Sequence, residues 1–231
     1  MSMQEASATL RTVIGLDGTP PRLAESTLVL IDYQNTYREG VMALEGAEEA
    51  LAAGARLLAA ARAAGAPVVH VVNDGGPGTP YDVRAEIGAI SPQVAPLAGE
   101  PVVVKTFPDA FHGTELAKVL AAADGEGPRR DLVLAGFMTH MCVAFTAQGA
   151  FREGWRPTVV AEACATRALP GPDGRVVPAA QLHAAALATV GDLYGTVLAE
   201  VADLTGDGPT GGRAAGSRSP GTGGAETTPA R

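Results

Sequence analysis

Three side chains with the chemistry of covalent catalysis stand near the ends of short apolar runs in the sequence. Asp32 and Lys105 each come directly after such a run, and Cys142 lies a few residues after a third. A thiolate is a strong nucleophile, a carboxylate can take the thiol proton, and an ammonium group stabilises the charges of both. These residue types indicate a hydrolase-like constellation with a cysteine nucleophile.

Each of the three residues has a simpler explanation when it is considered alone. An aspartate after a strand is usually a turn residue, a lysine is usually a solvated charge, and a free cysteine is commonly a small buried hydrophobe. Cys142 is favoured as a reactive group because it lies in the first turn of a predicted helix near a possible amine, a setting that lowers the pKa of a thiol. The joint placement of the three residues predicts a site that no one of them would predict.

Strands and helices alternate along the chain between residues 27 and 198. Short apolar runs bounded by glycine, proline and polar residues are typical of buried strands, and amphipathic stretches that end at glycine are typical of helices. The predicted strands are Thr27–Ile31, Pro67–Val72, Pro101–Val104, Asp131–Gly136, Pro157–Ala161 and Tyr194–Leu198. The predicted helices are Gly46–Ala64, Gly113–Ala123, His140–Arg152 with Thr139 as its cap, and Pro178–Val190.

This order of elements predicts an α/β fold, with a doubly wound, mostly parallel sheet of about six strands and helices on both faces. In such a sheet, ligands bind outside the carboxyl ends of the strands. Because the acid, the amine and the thiol follow three predicted strands, we expect them to converge on one pocket.

The length of 231 residues suits one α/β domain, which we predict over residues 1–204. Residues 205–231 consist mainly of Gly, Pro, Ser and Thr with almost no large apolar side chain. A segment of that composition cannot offset its ordering entropy, so it is predicted to be a flexible tail.

The composition and the hydropathy of the chain limit the binding partners and the cellular compartment that can be expected for this protein. The formal net charge of −8 disfavours nucleic acid, because binding to phosphates requires an excess of lysine and arginine. The N-terminus has no basic patch followed by an apolar core, and no stretch reaches the roughly 18 apolar residues of a membrane span. A cytoplasmic protein without membrane contact is therefore expected. Its two cysteines lack the spacing of a metal site, so reduced thiols are expected.

Four stretches around these residues form a recognisable pattern. They are Leu28–Asn35 (LVLIDYQN), Val104–Phe111 (VKTFPDAF) followed by Gly113, Thr114 and Leu116, Leu134–Val143 (LAGFMTHMCV) and Val160–Ala165 (VAEACA). In these stretches the chain resembles the isochorismatase-like cysteine hydrolases. That family includes nicotinamidase, N-carbamoylsarcosine amidase, ureidoacrylate amidohydrolase and streptothricin hydrolase, and the last is the most similar in overall character.

The resemblance implies a catalytic triad of Asp32, Lys105 and Cys142. It implies that Asp32 takes the proton from Cys142 while Lys105 holds both, and that a thioester forms and is then hydrolysed. It also implies a cis peptide bond between Phe137 and Met138, which would aim the backbone N–H groups of Met138 and Cys142 at the oxyanion.

Two departures from family patterns narrow the chemistry. The metal-binding Asp-x-His of nicotinamidases is not evident, since His70 lies inside a predicted strand, so neither a metal nor a cofactor is expected. Isochorismatase itself lacks the nucleophilic cysteine, so Cys142 points away from vinyl-ether hydrolysis. The resemblance therefore favours hydrolysis of an amide.

Seven residues are candidates for the substrate pocket. They are Gln34, Tyr37, Asp109, Phe111, His112, Phe137 and Thr139. Asp109 would suit a cationic substrate, although the composition of the loop favours a cap on the turn after Pro108. A polar residue just past a strand, such as Gln34, either lines a pocket or faces water. Core packing is the alternative for the aromatic residues.

These features predict a cysteine-dependent amidohydrolase that cleaves a C–N amide bond of a small molecule through a thioester. Opening of a lactam ring, as in streptothricin hydrolase, is a more specific form of this prediction. Within the family, hydrolysis of N-carbamoyl or ureido groups, of simple carboxamides or of esters stays open. A non-catalytic small-ligand-binding α/β module is the alternative of another class, although the glycine motifs that bind phosphate are absent. Relatives form dimers or larger assemblies, so a homodimer or higher homo-oligomer is expected.

Overall fold

The structure is a computed structural model that describes residues 7–123 and 130–205. The predicted tail, residues 205–231, lies outside the described residues except for Thr205. The predicted boundary between domain and tail therefore stays a prediction.

One parallel sheet forms the centre of the molecule. The strands are β1 (Thr27–Ile31), β2 (Val68–Asn73), β3 (Val102–Lys105), β4 (Asp131–Phe137), β5 (Arg156–Ala165), β6 (Leu169–Pro170), β7 (Val176–Val177) and β8 (Thr196–Leu198). Strands β6 and β7 form a small antiparallel pair, and the other six form the sheet in the order β3-β2-β1-β4-β5-β8, all parallel. The predicted fold class is confirmed.

Helices cover both faces of this sheet. They are α1 (Leu10–Val13), α2 (Ala47–Ala63), α3 (Leu116–Ala122), α4 (Ala144–Arg152), α5 (Ala179–Thr189) and α6 (Ala202–Thr205). Helix α2 packs in the apolar cluster on one face, and α3 and α4 pack in the cluster on the other. Within residues 7–123 and 130–205, no helix has the length and apolar character needed to cross a bilayer.

Strand β1 is buried on both faces, as its uninterrupted apolar sequence predicts. Side chains alternate between the two faces of a strand, so Leu28 and Leu30 join the cluster with α2, while Val29 and Ile31 join the cluster with α3 and α4. The central strand therefore ties the two layers together and holds the residue that follows it, Asp32, in a rigid position.

The strand order reverses between β1 and β4. From β1 the chain passes outward to β2 and β3, and then returns to β4 on the other side of β1 before passing outward to β5 and β8. Such a reversal leaves a crevice at the carboxyl ends of the two central strands, where open α/β sheets bind ligands. The fold therefore supplies a site between Asp32 and the segment after β4.

Several element boundaries differ from the predictions. The helix predicted over Gly113–Ala123 begins at Leu116, and the strand predicted to end at Ala161 continues to Ala165. The predicted helix cap at Thr139 is wrong, because residues Thr139–Val143 form a π-helical turn and no side chain caps it. Helix α1 was not predicted; its first N–H donates to Asp192 Oδ1 at 2.9 Å, a tertiary contact that local sequence does not reveal.

Candidate active site

The acid, the amine and the thiol lie together at the carboxyl ends of the strands. Lys105 Nζ is 2.7 Å from Asp32 Oδ2 and 3.3 Å from Cys142 Sγ. The exposed fractions are 0% for Asp32, 1% for Lys105 and 6% for Cys142. The structure thus brings together the three residues that the sequence nominated as a triad, with the ammonium group in contact with both others.

Asp32 leaves β1 in a left-handed backbone conformation, with φ of +53°. Its N–H still donates to Val71 O at 2.9 Å, which continues the pairing of β1 with β2. A non-glycine residue at positive φ costs on the order of 1 to 3 kcal/mol, and such residues cluster at functional sites. The turn brings the Asp32 carboxylate to the side of the sheet edge where Lys105 lies.

The protonation states follow from burial and mutual charge. Burial raises the pKa of Asp32, and the charge of Lys105 opposes that rise. For Lys105, burial acts to lower the pKa, but the Asp32 carboxylate and the Cys142 sulfur outweigh burial, so the pKa is raised. Burial, followed by the charge of Asp32, raises the pKa of the Cys142 thiol to about 12, against the lowering effect of Lys105.

The expectation of a lowered thiol pKa at Cys142 is therefore wrong. The raised pKa of Cys142 favours a neutral thiol at neutral pH, beside the Lys105–Asp32 pair. A buried thiol of this kind does not act as a nucleophile until a base removes its proton, and Asp32 is the base within its contact network.

The segment between β4 and Cys142 approaches β1 closely. Gly136 has φ of +136°, and a Cβ atom at that position would lie 1.9 Å from Ile31 O, so only glycine fits. The next peptide bond, Phe137–Met138, is cis, as the resemblance implied. Met138 O then accepts hydrogen bonds from Met141 N–H at 3.0 Å and Val143 N–H at 3.2 Å, which closes the turn around the nucleophile.

The predicted oxyanion donors, the N–H groups of Met138 and Cys142, belong to this turn. N–H groups at the start of a helix lack intrahelical acceptors and suit an anion. Met138 and Cys142 are each 6% exposed, so an oxyanion bound there would be shielded from water. Their role as donors stays a prediction that the fold accommodates.

Two threonine–histidine hydrogen bonds fasten the same turn. Thr139 Oγ1 lies 2.9 Å from His183 Nδ1 on α5, and His140 Nδ1 lies 2.5 Å from Thr166 Oγ1 just after β5. Thr139 is 1% exposed, so its hydroxyl is used by the scaffold and does not project into an open pocket. Burial lowers the pKa of both histidines, which favours their neutral forms near pH 7.

An aromatic wall stands beside the triad. The Tyr37 ring lies 5.5 Å from Phe137 and 5.8 Å from Tyr81, both in edge arrangements. Burial, and then the charges of Asp32 and Cys142, raise the pKa of Tyr37. Of the seven pocket candidates, Tyr37 and Phe137 are the two that the structure places in this wall.

Gln34 belongs to the scaffold. Its side chain is buried, with Nε2 donating to Asn73 O at 3.0 Å and Gly88 O at 2.7 Å, while Oε1 accepts from Asn73 N–H at 2.9 Å. These bonds occupy the amide at both ends and tie the end of β2 to the loop that contains Gly88. Neither reading of Gln34 from the sequence, a pocket residue or a solvated one, describes this arrangement.

Asp109 faces α4. It accepts a hydrogen bond from Phe111 N–H at 2.9 Å and lies 3.5 Å from Arg152 Nη2, while a Cβ atom at Gly149 would come within 2.3 Å of its Oδ1. The turn-cap interpretation therefore describes Asp109, and the proposed contact with a cationic substrate loses its basis. Phe111 packs against the apolar cluster that includes Cys142, and the His112 ring lies 4.7 Å from that of Phe107.

The comparison with known families agrees with this geometry. Residues 26–200 match the model of the isochorismatase domain. The chain belongs to the isochorismatase family.

Individual members of the isochorismatase family match most of the chain. The secreted isochorismatase effector Isc1 of Verticillium dahliae is 33% identical over 83% of this chain and 96% of its own. The crystal structure of an isochorismatase from Pseudomonas putida is 39% identical, with a TM-score of 0.81, over 86% of this chain and 100% of its own. Streptothricin hydrolase of Streptomyces noursei is 37% identical over 71% of this chain and 59% of its own. Maleamate amidohydrolase of Pseudomonas putida is 33% identical over 61% of this chain and 72% of its own.

Two residues of this isochorismatase-family site were not predicted. Asn73 ends β2 and its Oδ1 accepts a hydrogen bond from Lys105 Nζ at 3.3 Å. The rule that found Asp32, a polar residue at a strand end, would have found Asn73 as well. Tyr81, whose ring centroid lies 5.8 Å from that of Tyr37, comes from a loop, where the sequence carries no periodic signal that places a side chain.

Proposed function

We propose that this isochorismatase-family protein is a cysteine-dependent amidohydrolase of small molecules. The observation that carries the proposal is the contact of one buried ammonium group, Lys105 Nζ, with both the Asp32 carboxylate and the Cys142 thiol. A non-catalytic binding module would have no use for a buried acid, amine and thiol in mutual contact, since each is costly to bury.

The geometry supports a two-stage reaction. Asp32 takes the Cys142 proton as sulfur attacks the amide carbonyl, and the resulting oxyanion binds the N–H groups of Met138 and Cys142. Asp32 then gives its proton to the departing nitrogen, which leaves as an amine or ammonia, and an acyl thioester remains on the sulfur. Asp32 next removes a proton from water, the hydroxide attacks the thioester, and the acid product leaves as the thiol is restored.

The ammonium group of Lys105 has a positional and electrostatic part in this scheme. It stays protonated because its pKa is raised, so it holds the carboxylate in one place through both proton transfers. It also neutralises the negative charge that passes between sulfur and carboxylate. The net charge of the buried trio therefore does not change while the proton moves between Cys142 and Asp32.

Membership of the isochorismatase family supports the type of bond that we propose this enzyme cleaves. The chain is a hydrolase of the isochorismatase family, and its relatives include enzymes named amidohydrolases, which supports a carbon–nitrogen bond other than a peptide bond as its target. Opening of a lactam rests on the name streptothricin hydrolase alone and stays the finer proposal. Hydrolysis of N-carbamoyl groups, carboxamides or esters by the same trio remains the alternative.

We also propose that the protein acts as a homo-oligomer in the cytoplasm, with a small-molecule substrate and no nucleic-acid or membrane partner. A groove of about 370 Å³ runs between α4 and α5. Among the described residues that line it, none is Asp, Glu, Lys or Arg. Phe145, at its rim, is 40% exposed. An uncharged apolar groove suits contact between two copies of a chain that carries a net charge of −8.

The test is turnover of a mixed panel of linear amides, lactams, N-carbamoyl compounds and esters, followed by mass spectrometry for gain of one water. A short incubation with excess substrate is expected to show an acyl adduct on the peptide that contains Cys142. Cys142→Ala is expected to abolish both signals, while Cys164→Ala leaves them intact because Cys164 is buried and bonded to Val160 O at 3.3 Å. Full turnover by Cys142→Ala would refute the thioester mechanism.

A further inference from the structure

Four adjacent strands of the sheet each carry one polar group at their carboxyl end or in the turn that follows. In the order of the sheet these strands are β3, β2, β1 and β4, and their groups are Lys105, Asn73, Asp32 and Cys142. The reaction scheme uses the amine, the acid and the thiol but not the amide of Asn73. Asn73 ends the strand that lies between the strand of the amine and the strand of the acid.

The pairing of β2 with β3 places Asn73 next to Lys105. The two residues are the last register partners of these strands, and partners in register point their side chains to the same face of a sheet. Asn73 Oδ1 lies 3.3 Å from Lys105 Nζ and accepts its hydrogen bond. Asp74 N–H donates to Lys105 O at 2.9 Å, so the pairing continues past the two side chains. The sheet itself therefore holds the amide against the amine.

The ammonium group of Lys105 has an acceptor for each of its three N–H donors. Its Nζ atom lies 2.7 Å from Asp32 Oδ2, 3.3 Å from Cys142 Sγ and 3.3 Å from Asn73 Oδ1. An ammonium group donates three hydrogen bonds and accepts none. Lys105 is 1% exposed, so loss of one acceptor would leave a buried charged donor unpaired, which is costly. Asn73 therefore completes the set of acceptors that orients the ammonium group.

A second amide fixes the backbone of Asn73. Gln34 Nε2 donates to Asn73 O at 3.0 Å, and Gln34 Oε1 accepts from Asn73 N–H at 2.9 Å. Gln34 is itself buried and tied to Gly88 O at 2.7 Å. These bonds use only backbone atoms of Asn73, so its side chain is left for Lys105. The bonds would also survive a substitution of that side chain.

Asn73 differs from the other two acceptors because its charge does not change during the proposed reaction. Asp32 becomes a neutral acid when it takes the thiol proton, and the Cys142 sulfur loses its charge when it bonds to the carbonyl carbon. The amide oxygen is the acceptor that is unaltered at that stage, and it favours the charged form of Lys105. Its contribution is therefore larger in the tetrahedral intermediate than in the resting site, which is the condition for lowering a barrier.

We propose that Asn73 is a positioning residue, whose side-chain oxygen holds the Lys105 ammonium group while Asp32 carries the transferred proton. The inference rests on the proposed amidohydrolase function and adds a fourth side chain to its machinery. In this role Asn73 acts through Lys105 and not on the substrate. An amide suits the position better than a carboxylate, because a second negative charge would compete with Asp32 for the ammonium group.

The kinetic test removes the acceptor and then restores it. Asn73→Leu has nearly the same volume without the oxygen, and on an amide that the wild type hydrolyses we expect kcat to fall by about 10-fold or more, with KM within about twofold. Asn73→Asp restores an oxygen and should recover part of kcat. Its charge should also move the acid limb of the kcat/KM profile to higher pH, because a like charge raises the pKa of Asp32.

Asn35→Leu is the matched control for these variants. It removes the same type of side chain from the neighbouring loop contacts, where Asn35 Nδ2 donates to Glu86 O at 2.9 Å. We expect kcat and the pH profile of this variant to stay close to those of the wild type. Thermal melting of every variant separates loss of rate from loss of fold.

A second measurement needs no substrate, because the chain has two lysines, Lys105 and Lys118. Labelling with ε-15N-lysine makes both ammonium groups observable by NMR, and the Lys118 side chain, 79% exposed, is the internal reference. Asn73 is half-buried, so Asn73→Ala lets water reach the ammonium group in place of the amide. Hydrogen exchange of the Lys105 ammonium group is expected to accelerate by about 10-fold, and that of Lys118 to stay unchanged.

Three results would overturn the proposal. Full kcat in Asn73→Leu, with Cys142→Ala inactive, would exclude Asn73 from the reaction and leave the amidohydrolase proposal intact. An equal fall of kcat in Asn35→Leu would assign the effect to the loop and not to the acceptor. Unchanged exchange of Lys105 in Asn73→Ala would refute the contact. If the wild type hydrolyses no amide, the proposed function fails, and faster exchange in Asn73→Ala would still support the hold of Asn73 on Lys105.

Discussion

At the level of single residues, the acid–amine–thiol trio illustrates how burial changes chemistry. A cysteine near an amine is expected to be an acidic thiol, but Cys142 is buried next to a carboxylate as well, and its pKa is raised to about 12. Lys105 interacts mainly with Asp32, because its Nζ atom lies 2.7 Å from Asp32 Oδ2. The resting site therefore holds a base next to a neutral thiol. The thiolate forms only during attack on the substrate.

Asp32→Asn is expected to separate the role of the base from the acidity of the thiol. Turnover should fall by about 10²- to 10⁴-fold because general base catalysis is lost. Alkylation of Cys142 by iodoacetamide near pH 8 should become faster, because the Asp32 charge that raises the thiol pKa is gone while Lys105 remains. Mass spectrometry of the labelled peptides provides the rates.

Cys164 is the internal control for that labelling. Burial raises its pKa to about 12, and Asp32 has no part in that shift, so its slow labelling should not change. If alkylation of Cys142 slows in Asp32→Asn together with turnover, Asp32 is not the group that keeps the proton on the thiol.

At the level of elements, the close approach of β4 to β1 sets the position of the nucleophile. Gly136→Ala would place a Cβ atom 1.9 Å from Ile31 O. We expect a loss of more than about 3 kcal/mol in the free energy of unfolding, because the clash is with backbone that cannot move without breaking the sheet. Urea unfolding of the soluble fraction measures the loss.

Gly154→Ala is the matched control for backbone strain. Gly154 also has positive φ, +84°, but a Cβ atom there meets nothing within 4 Å. Its cost is expected to be about 1 to 2 kcal/mol. Equal losses for the two variants would mean that strain, rather than the contact between β4 and β1, makes glycine necessary at position 136.

A second set of contacts joins α2, β2 and Glu100, which lies two residues before β3. Glu100 Oε2 lies 2.7 Å from Arg62 Nη2 and 3.0 Å from His70 Nε2. Hydrogen bonding to Arg62, assisted by the Leu97 N–H and His70, lowers the pKa of Glu100 from 4.5 to about 2. A carboxyl whose folded pKa is depressed stabilises the fold above pH 4.5, and this contribution disappears as the pH falls to about 2.

Glu100→Gln is therefore expected to be less stable than the wild type at pH 7, with a difference that shrinks as the pH falls from 4.5 to about 2. Urea midpoints at several pH values measure this difference. Glu115→Gln is the control, because the exposed Glu115–Lys118 pair contributes little at any pH. A difference for Glu100→Gln that stays constant over this range would show that titration of Glu100 does not contribute.

At the level of the whole molecule, the groove between α4 and α5 is the surface that oligomerisation would cover. Helix α5 has the apolar sequence AAQLHAAALAT, yet only Ala179 of its residues is buried. Phe145→Glu is expected to reduce the molar mass in solution by at least half, because it puts a charge in an apolar contact. Light scattering after size-exclusion chromatography measures that mass.

Leu97→Glu is the control for that variant, since Leu97 is 58% exposed and lies away from the groove. It should leave the molar mass unchanged. A wild-type protein that is monomeric at the concentrations used for turnover would contradict the oligomer proposal outright.

The alternation of strands and helices, and the acid, amine and thiol near three strand ends, were evident from the sequence. Periodic burial imposes a pattern on strands and helices, and parallel strands bring their carboxyl ends to one edge, so local order was enough to predict both. The resemblance added the cis bond before Met138, which the structure contains.

Only the tertiary structure decided which polar residues serve the scaffold and which face the crevice. Gln34 binds buried backbone groups, Asp109 packs against α4, and Tyr81 joins the aromatic wall from a loop that has no periodicity. The tertiary structure also decided the pKa of Cys142, because that pKa depends on burial and on two charges that lie far away in the sequence. Hydrogen-bond partners and electrostatic environment are properties of three-dimensional neighbours, and residue type and spacing alone do not specify them.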